Sequence, residues 1–211
     1  MEKTMEKPTN NSIVVSGCIA SEAEFSHESF GENFYMFMLN SERSSGVLDC
    51  VPICVSERLC DITELKIGGL IEVTGEIRTY NKIEKDHKRL IISVFAKDIT
   101  DHQDVIDDTN SAELTGFICK EPTYRTTPNG REICDVLVAV NRAYGKSDYV
   151  PCISWGRNAR FVEKLPVGTQ ITLYGRLQSR EYHKRVGENP DGTAVAEVRT
   201  AYELSVSRLV S

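Results

Sequence analysis

The chain has one tryptophan, four histidines and no apolar run near the roughly 20 residues that a membrane-spanning helix needs. Its opening residues, MEKTMEKPTNNS, contain no apolar core, so a secretory leader is not expected. Integral membrane and secreted classes are set aside, and a cytoplasmic protein is the expectation. The seven cysteines are odd in number, which argues against a disulfide framework and for reduced thiols. Cys50, Cys54 and Cys60 lack the close CxxC pair and fourth ligand of a zinc site. His27, His87, His102 and His183 are scattered and complete no such site, so no metal is expected. There is no phosphate-cradling Gly-rich loop, no GxSxG elbow and no His–carboxylate spacing suited to acid–base work. Neither enzymatic activity nor a cofactor is expected.

What the chain does have is an internal repeat. Asn11-Ser12 recurs as Asn110-Ser111, Gly17 as Gly116, Gly31 as Gly130 and Pro52 as Pro151, each 99 residues later. Phe25, Arg43 and Asp49 have Tyr124, Arg142 and Asp148 at the same offset. Gly68 and Gly75 recur as Gly168 and Gly175 at an offset of 100, which implies one extra residue in the second copy. The 211 residues therefore read as two copies of one domain, 11–99 and 110–210, joined by an acidic linker over 100–109. The net charge of −6 divides unevenly between them. Residues 1–109 carry 11 Lys and Arg against 20 Asp and Glu, a net of −9, whereas residues 110–211 carry 14 against 11, a net of +3.

Each copy reads as mostly strand. In the second, Ala112–Ile118 is a strand that must bend at Gly116, and TTPNG (Thr126–Gly130) is a hairpin turn. Ile133–Asn141 follows, with Val136, Val138 and Val140 on one side, and Tyr149–Trp155 alternates again after a loop. Gly156–Lys164 is the only helical stretch, closed by Pro166 and Gly168. Thr169–Tyr182 is a long strand through Gly175. Lys184–Thr193 reads as a flexible polar loop able to close over a bound strand, and Glu197–Leu209 is the last strand. Five strands with a short helix between the third and fourth is the order of the OB-fold, a partly open Greek-key barrel. The expected class is all-β, with two tandem OB barrels. Periodicity alone leaves another small β-barrel or sandwich open.

The stretch NSAELTGFICKEPTYRTTPNGREICDVLVAVNR, followed by SDYVPCISWGRNARFVEKLPVGTQITLYGRLQSREY, resembles the bacterial single-stranded DNA-binding protein family. The motifs are the L-x-G opening (Leu114–Gly116), E-P…R-x-T-P-N-G, the VAVNR strand, the SWG-x-x-A helix start and G-R-L-Q-S-R-x-Y. They span nearly the whole second copy, while the first keeps the scaffold glycines and little else. Primosomal replication protein N belongs to the same wider group and stays a competing reading. The resemblance implies non-catalytic binding of single-stranded DNA in replication, recombination or repair, on the bacterial nucleoid. It also implies replication or restart proteins as partners, and a homodimer, because the family works with four OB barrels and this chain supplies two. The first strand of each barrel is expected as an exposed edge for that pairing. The family's replicative members end in a flexible linker with an acidic tip. This sequence ends Ser207-Arg208-Leu209-Val210-Ser211, so recruitment through such a tail is not expected.

Single strands expose base faces that stack on aromatic rings, and phosphates that demand cations along a groove. By resemblance, the stacking positions fall at Tyr144, Tyr149, Trp155 and Tyr182. Tyr149, Ile153 and Trp155 share strand parity and project to one face, opposite Val150, Cys152 and Ser154. Cations interleave with them as candidate phosphate contacts: Arg142 and Lys146 in the loop, and Arg157 and Arg160 on the helix. Arg176 and Arg180 follow on the fourth strand, with Lys184 and Arg185 beyond it. At the four stacking positions the first copy aligns Ser45, Cys50, Ser56 and Lys82. Its own Phe34, Tyr35 and Phe37 are expected in the core and in packing against another barrel. An acidic barrel without a stacking platform suits phosphate chains poorly. A protein–protein scaffold, with both barrels as assembly surfaces, is the alternative from a different class.

Overall fold

The computed structural model describes residues 10–84, 87–102, 109–188 and 194–211. Six strands make up the first half: β1 (Asn11–Ile19), β2 (Glu24–Ser29), β3 (Glu32–Glu42), β4 (Leu48–Ser56), β5 (Leu70–Glu84) and β6 (His87–His102). The second half repeats them as β7 (Asn110–Ile118), β8 (Thr123–Thr126), β9 (Glu132–Asn141), β10 (Ser147–Trp155), β11 (Gln170–Glu188) and β12 (Ala194–Val210). Five strands of each half close a ring. β1 pairs with β3, β3 with β4, β4 with β6, β6 with β5, and β5 with β1 again, and only β4–β6 is parallel. β7, β9, β10, β12 and β11 repeat the circuit, with β10–β12 as the parallel pair. This is the Greek-key order of the OB-fold, twice. The short strands β2 and β8 are additions that flank β3 and β9 at the outer edges.

Alternation explains the cores. In β9 the residues Val136, Val138 and Val140 point inward, and in β1 Ile13 and Val15 do the same. Phe34 and Phe37 are buried and Tyr35 packs against the core, so this aromatic run fills the first barrel. Gly75 and Gly175 mark matched register shifts in β5 and β11. A Cβ at Gly175 would collide with the carbonyl oxygen of Ser205, and one at Gly75 with that of Phe95. Glycine is therefore required where each long strand folds over its neighbour.

Three local features differ from the sequence expectation. The helix between strands three and four is formed in the second barrel as α1 (Gly156–Val162), which buries Ala159 and Val162. In the first barrel it shrinks to a 3-10 turn, Ile62–Glu64. There Asp61 caps the turn by accepting from the Thr63 amide at 2.9 Å, and the β-branched pair Ile62-Thr63 disfavours continuation. The segment read as a loop from Lys184 is strand as far as Glu188, because β11 and β12 pair from Thr172↔Val210 to Glu188↔Ala194, with register shifts at Tyr174/Gly175 and Arg185/Gly187. Residues 189–193 of that segment lie outside the described residues. Likewise β6 continues to His102, and 103–108, most of the stretch read as a linker, lie outside the described residues. Among the described residues no helix is long and apolar enough to cross a membrane.

The first strands are not free edges. β1 and β7 pair antiparallel, Ile13 opposite Ala112, so the two barrels share one 12-stranded sheet. The joint has approximate two-fold symmetry. Asn11 donates to Ile77 O at 2.7 Å and accepts from Ile77 N at 2.9 Å. Asn110 does the same with Leu177, at 2.8 and 2.9 Å. The repeated asparagine thus closes the strand pairing beyond each glycine bulge.

Candidate nucleic-acid interface

At the joint, two carboxylates are withdrawn from solvent: Asp49 is 1% exposed and Asp148 0%. A buried charge is tolerated only when paired and hydrogen-bonded, and both are. Asp49 accepts from Arg43 Nε at 2.7 Å, Arg43 Nη2 at 2.5 Å and, across the joint, from the Ser179 amide at 2.9 Å. Asp148 lies 2.8 Å from Arg142 Nε, and across the joint accepts from the Thr79 amide at 2.5 Å and Arg78 Nη1 at 3.1 Å. Hydroxyls complete the lock: the Cys50 amide donates to Ser179 Oγ at 2.9 Å and the Tyr149 amide to Thr79 Oγ1 at 2.8 Å. The Arg43 side chain is held above the ordinary guanidinium range by its hydrogen bonds to Asp49.

Beside the Asp49 lock a cleft of about 620 Å³ opens, with Trp155 on its wall. Trp155 ends β10 half-buried, its indole Nε1 donating to Ser205 Oγ at 3.1 Å, which fixes the ring while leaving part of it accessible. Arg176 and Arg180 on β11 and Arg131 after the TTPNG turn line the same cleft. Arg180 stands 3.8 Å from Glu203 and lies 5.9 Å from the centre of the Tyr182 ring, a cation–π distance. The cleft therefore offers a fixed indole among guanidinium groups.

The structure distributes the other sequence-selected residues around this centre. Tyr149 is 47% exposed on the same strand as Trp155, with Val150, Cys152 and Ser154 facing inward, while Ile153 on the outer parity is buried. Tyr144 is fully exposed in a 3-10 turn, with φ of 60°. Tyr182 and Lys184 line a second depression of about 390 Å³ with Arg89 and Arg199. Lys146 is exposed in the loop, and Arg157 and Arg160 are exposed on α1, with Arg160 3.6 Å from Glu132. The Arg142 guanidinium is committed to Asp148 and donates to Thr79 O at 3.3 Å, a task at the joint that its place in the loop did not disclose. The Arg185 side chain lies outside the described residues. Sequence reasoning passed over Arg131 and Arg43, whose only signals were the turn beside one and the repeat partner Arg142 of the other.

The aligned positions of the first barrel are built differently. Ser56 replaces Trp155, and its hydroxyl bonds Glu32. Its cross-strand neighbour Phe34 is buried, stacked on His27 at 4.9 Å and 5.8 Å from Phe95. Arg78 sits 6.0 Å from the Phe95 ring. The aromatic mass has moved from the strand end into the barrel wall. Among the described residues no group of three or more His, Cys, Asp or Glu side chains is arranged to hold a metal ion.

Residues 109–209 match the Single-strand binding protein family. The match is confined to the second barrel. Single-stranded DNA-binding protein A of Bacillus subtilis is 34% identical over 86 residues, covering 37% of this chain and 50% of the relative. Single-stranded DNA-binding protein 1 of Staphylococcus aureus is 35% identical over 85 residues, covering 37% and 51%. The chain spans about half the length of these curated relatives. The crystal structure of the single-stranded DNA binding protein from Thermus aquaticus superposes with a TM-score of 0.73 over 95% of this chain and 91% of that one. At 18% identity, that likeness speaks to the fold alone, and it extends to both barrels.

Proposed function

We propose that this protein binds single-stranded DNA without catalysing a reaction, mainly through the second barrel, in bacterial replication, recombination or repair. Residues 110–210 act as the binding domain and 11–99 as its acidic support, with 100–109 between them. The observation that carries the reading is the indole of Trp155 held in a cleft with Arg131, Arg176 and Arg180. Bases stack on the indole and phosphates meet the guanidinium groups. Tyr149, Tyr144 and Tyr182 extend the stacking path, and Lys146, Arg157, Arg160 and Lys184 its phosphate contacts. The family match over the second barrel supports this assignment. On this reading the protein works on the cytoplasmic nucleoid, as a homodimer of four barrels. Replication or restart proteins are its partners.

Titration with oligothymidylates of several lengths tests the proposal. Because Trp155 is the only tryptophan, its quenching reports binding at this cleft directly. Affinity should fall steeply with salt as condensed counterions are released. Absence of both quenching and a gel shift at low salt defeats the reading. Light scattering that returns 23.7 kDa rather than twice that mass across micromolar concentrations defeats the homodimer.

A further inference from the structure

The Trp155 cleft is not made by the second barrel alone: Arg43 and Val47 of the acidic barrel line it too. Arg43 meets Arg176 around the single carboxylate of Asp49. Both Asp49 oxygens are taken, by the two-pronged contact from Arg43 and by the Ser179 amide. Arg176 is left with an approach of 3.7 Å through its Nε, too long for a hydrogen bond, and that nitrogen is buried without an acceptor. Its Nη2 reaches Gln178 Oε1 only at 3.4 Å. Burial and then the neighbouring charge of Arg43 push the Arg176 guanidinium below its ordinary value, outweighing Asp49. Two partly exposed guanidinium groups thus share one saturated carboxylate at the mouth of a stacking cleft. On the other side of the pair, Glu42 lines a smaller depression together with Arg43, Asp49 and Arg176.

The opposite joint supplies the contrast. There the position of Arg176 is held by Glu76, which pairs with Arg78 and Lys97, while Asp148 pairs with Arg142 and Arg78. Its cations are matched by carboxylates. The same symmetry has thus produced one joint with a second, partly buried carboxylate, Glu76, among its cations and one where Arg176 stands in that place and shares Asp49 with Arg43.

We propose that Arg43 and Arg176 form a seat for a backbone phosphodiester of the strand stacked on Trp155, so that the acidic barrel completes the binding groove of its neighbour. This rests on the reading of the cleft as a single-stranded DNA site. Fork-shaped guanidinium donors match phosphate oxygens, and a pair of them from two barrels fixes the path of the strand across the joint.

The test uses the full chain and a fluorescently labelled oligothymidylate, read by anisotropy over a salt series alongside thermal melts. Arg43→Gln should weaken binding about tenfold at low salt and flatten the salt slope by about 0.7, the value of one single-strand phosphate contact. Val47→Glu adds a carboxylate at an exposed position on the cleft wall; it should weaken binding by a similar factor without moving the melt. Two controls separate this from other causes. Arg78→Gln damages the opposite joint and should lower the melt but leave affinity in place. Ile67→Glu adds the same charge to the acidic barrel away from the cleft and should leave both unchanged. If Arg43→Gln does not fold, Val47→Glu decides alone. Binding by Val47→Glu equal to that of the unaltered chain, or an equal loss in Ile67→Glu, overturns the seat. A lack of binding by the unaltered chain overturns the reading beneath it instead.

Discussion

Asp49 and Asp148 occupy equivalent places, and each accepts a backbone amide from the opposite barrel, yet their surroundings diverge. Around Asp148 the arginines meet a second carboxylate, Glu76, and on that side Ser56 and a buried Phe34 stand where Trp155 and Ile133 stand in the second barrel. At the Asp49 joint Arg176 takes the place of Glu76, and Trp155 opens beside it. A duplicated domain keeps the interactions that hold its copies together, because a buried carboxylate stripped of its partners is costly. Positions that only face solvent are free to change. The comparison therefore separates residues that both copies must keep from those in which one copy has specialised.

The largest effect is expected where the copies agree. Asp49→Ala and Asp148→Ala should each cost about 2–3 kcal/mol of folding stability, since each leaves partly buried arginines and a backbone amide of the opposite barrel without their acceptor. Urea denaturation of the two variants checks this, and a marked inequality between them would break the symmetry. Next come the positions where the copies differ. Trp155→Ala should lose about 1–3 kcal/mol of single-strand affinity if one base stacks there. Phe25→Ala, at an exposed ring of the first barrel, should lose none. A comparable loss in both would show that each barrel carries a stacking surface. A smaller difference is expected among cations. Arg180→Gln should flatten the salt slope by about 0.7, while Lys82→Gln, on the corresponding strand of the acidic barrel, should leave it unchanged.

The smallest prediction concerns a property both barrels share. Burial pushes the thiols of Cys54 and Cys134 up to about 11, and both side chains are enclosed in their barrels. A thiol reagent at about pH 8 should leave these two unmodified in the folded protein and label them after unfolding, because the thiolate is the reactive form. Mass spectrometry of digests distinguishes the cases. Early labelling of Cys54 alone would mark the first barrel as the looser of the two.

Much of the architecture was legible in the residues. The offset of 99 and then 100 disclosed the duplication and the extra residue, and the valine alternation of Ile133–Asn141 matched a real strand with Val136, Val138 and Val140 inside. The length of the β11–β12 ribbon was not legible. Its far part is polar, like a loop, and is strand because its backbone pairs with the neighbouring strand on both sides of a register shift at Arg185/Gly187. The free edges expected of β1 and β7 were misjudged for a related reason: strand pairing is non-local, and no short-range pattern states that these two strands choose each other.

The aromatic and charge content of each copy was likewise fixed by sequence, since Tyr, Tyr, Trp and Tyr against Ser, Cys, Ser and Lys needs no coordinates. What only the tertiary structure decided is the work of each arginine. Arg142 and Arg176 look alike on paper as members of one basic series, but one is bound to Asp148 and the other stands at 3.7 Å from an Asp49 already occupied by Arg43. That distinction depends on which carboxylate the fold brings up against each guanidinium, Asp148 of its own barrel for Arg142 and Asp49 of the opposite barrel for Arg176, and on whether its lone pairs are already taken. Such accounting exists only once residues distant in the chain, such as Cys50 and Ser179, 129 positions apart, are folded into contact.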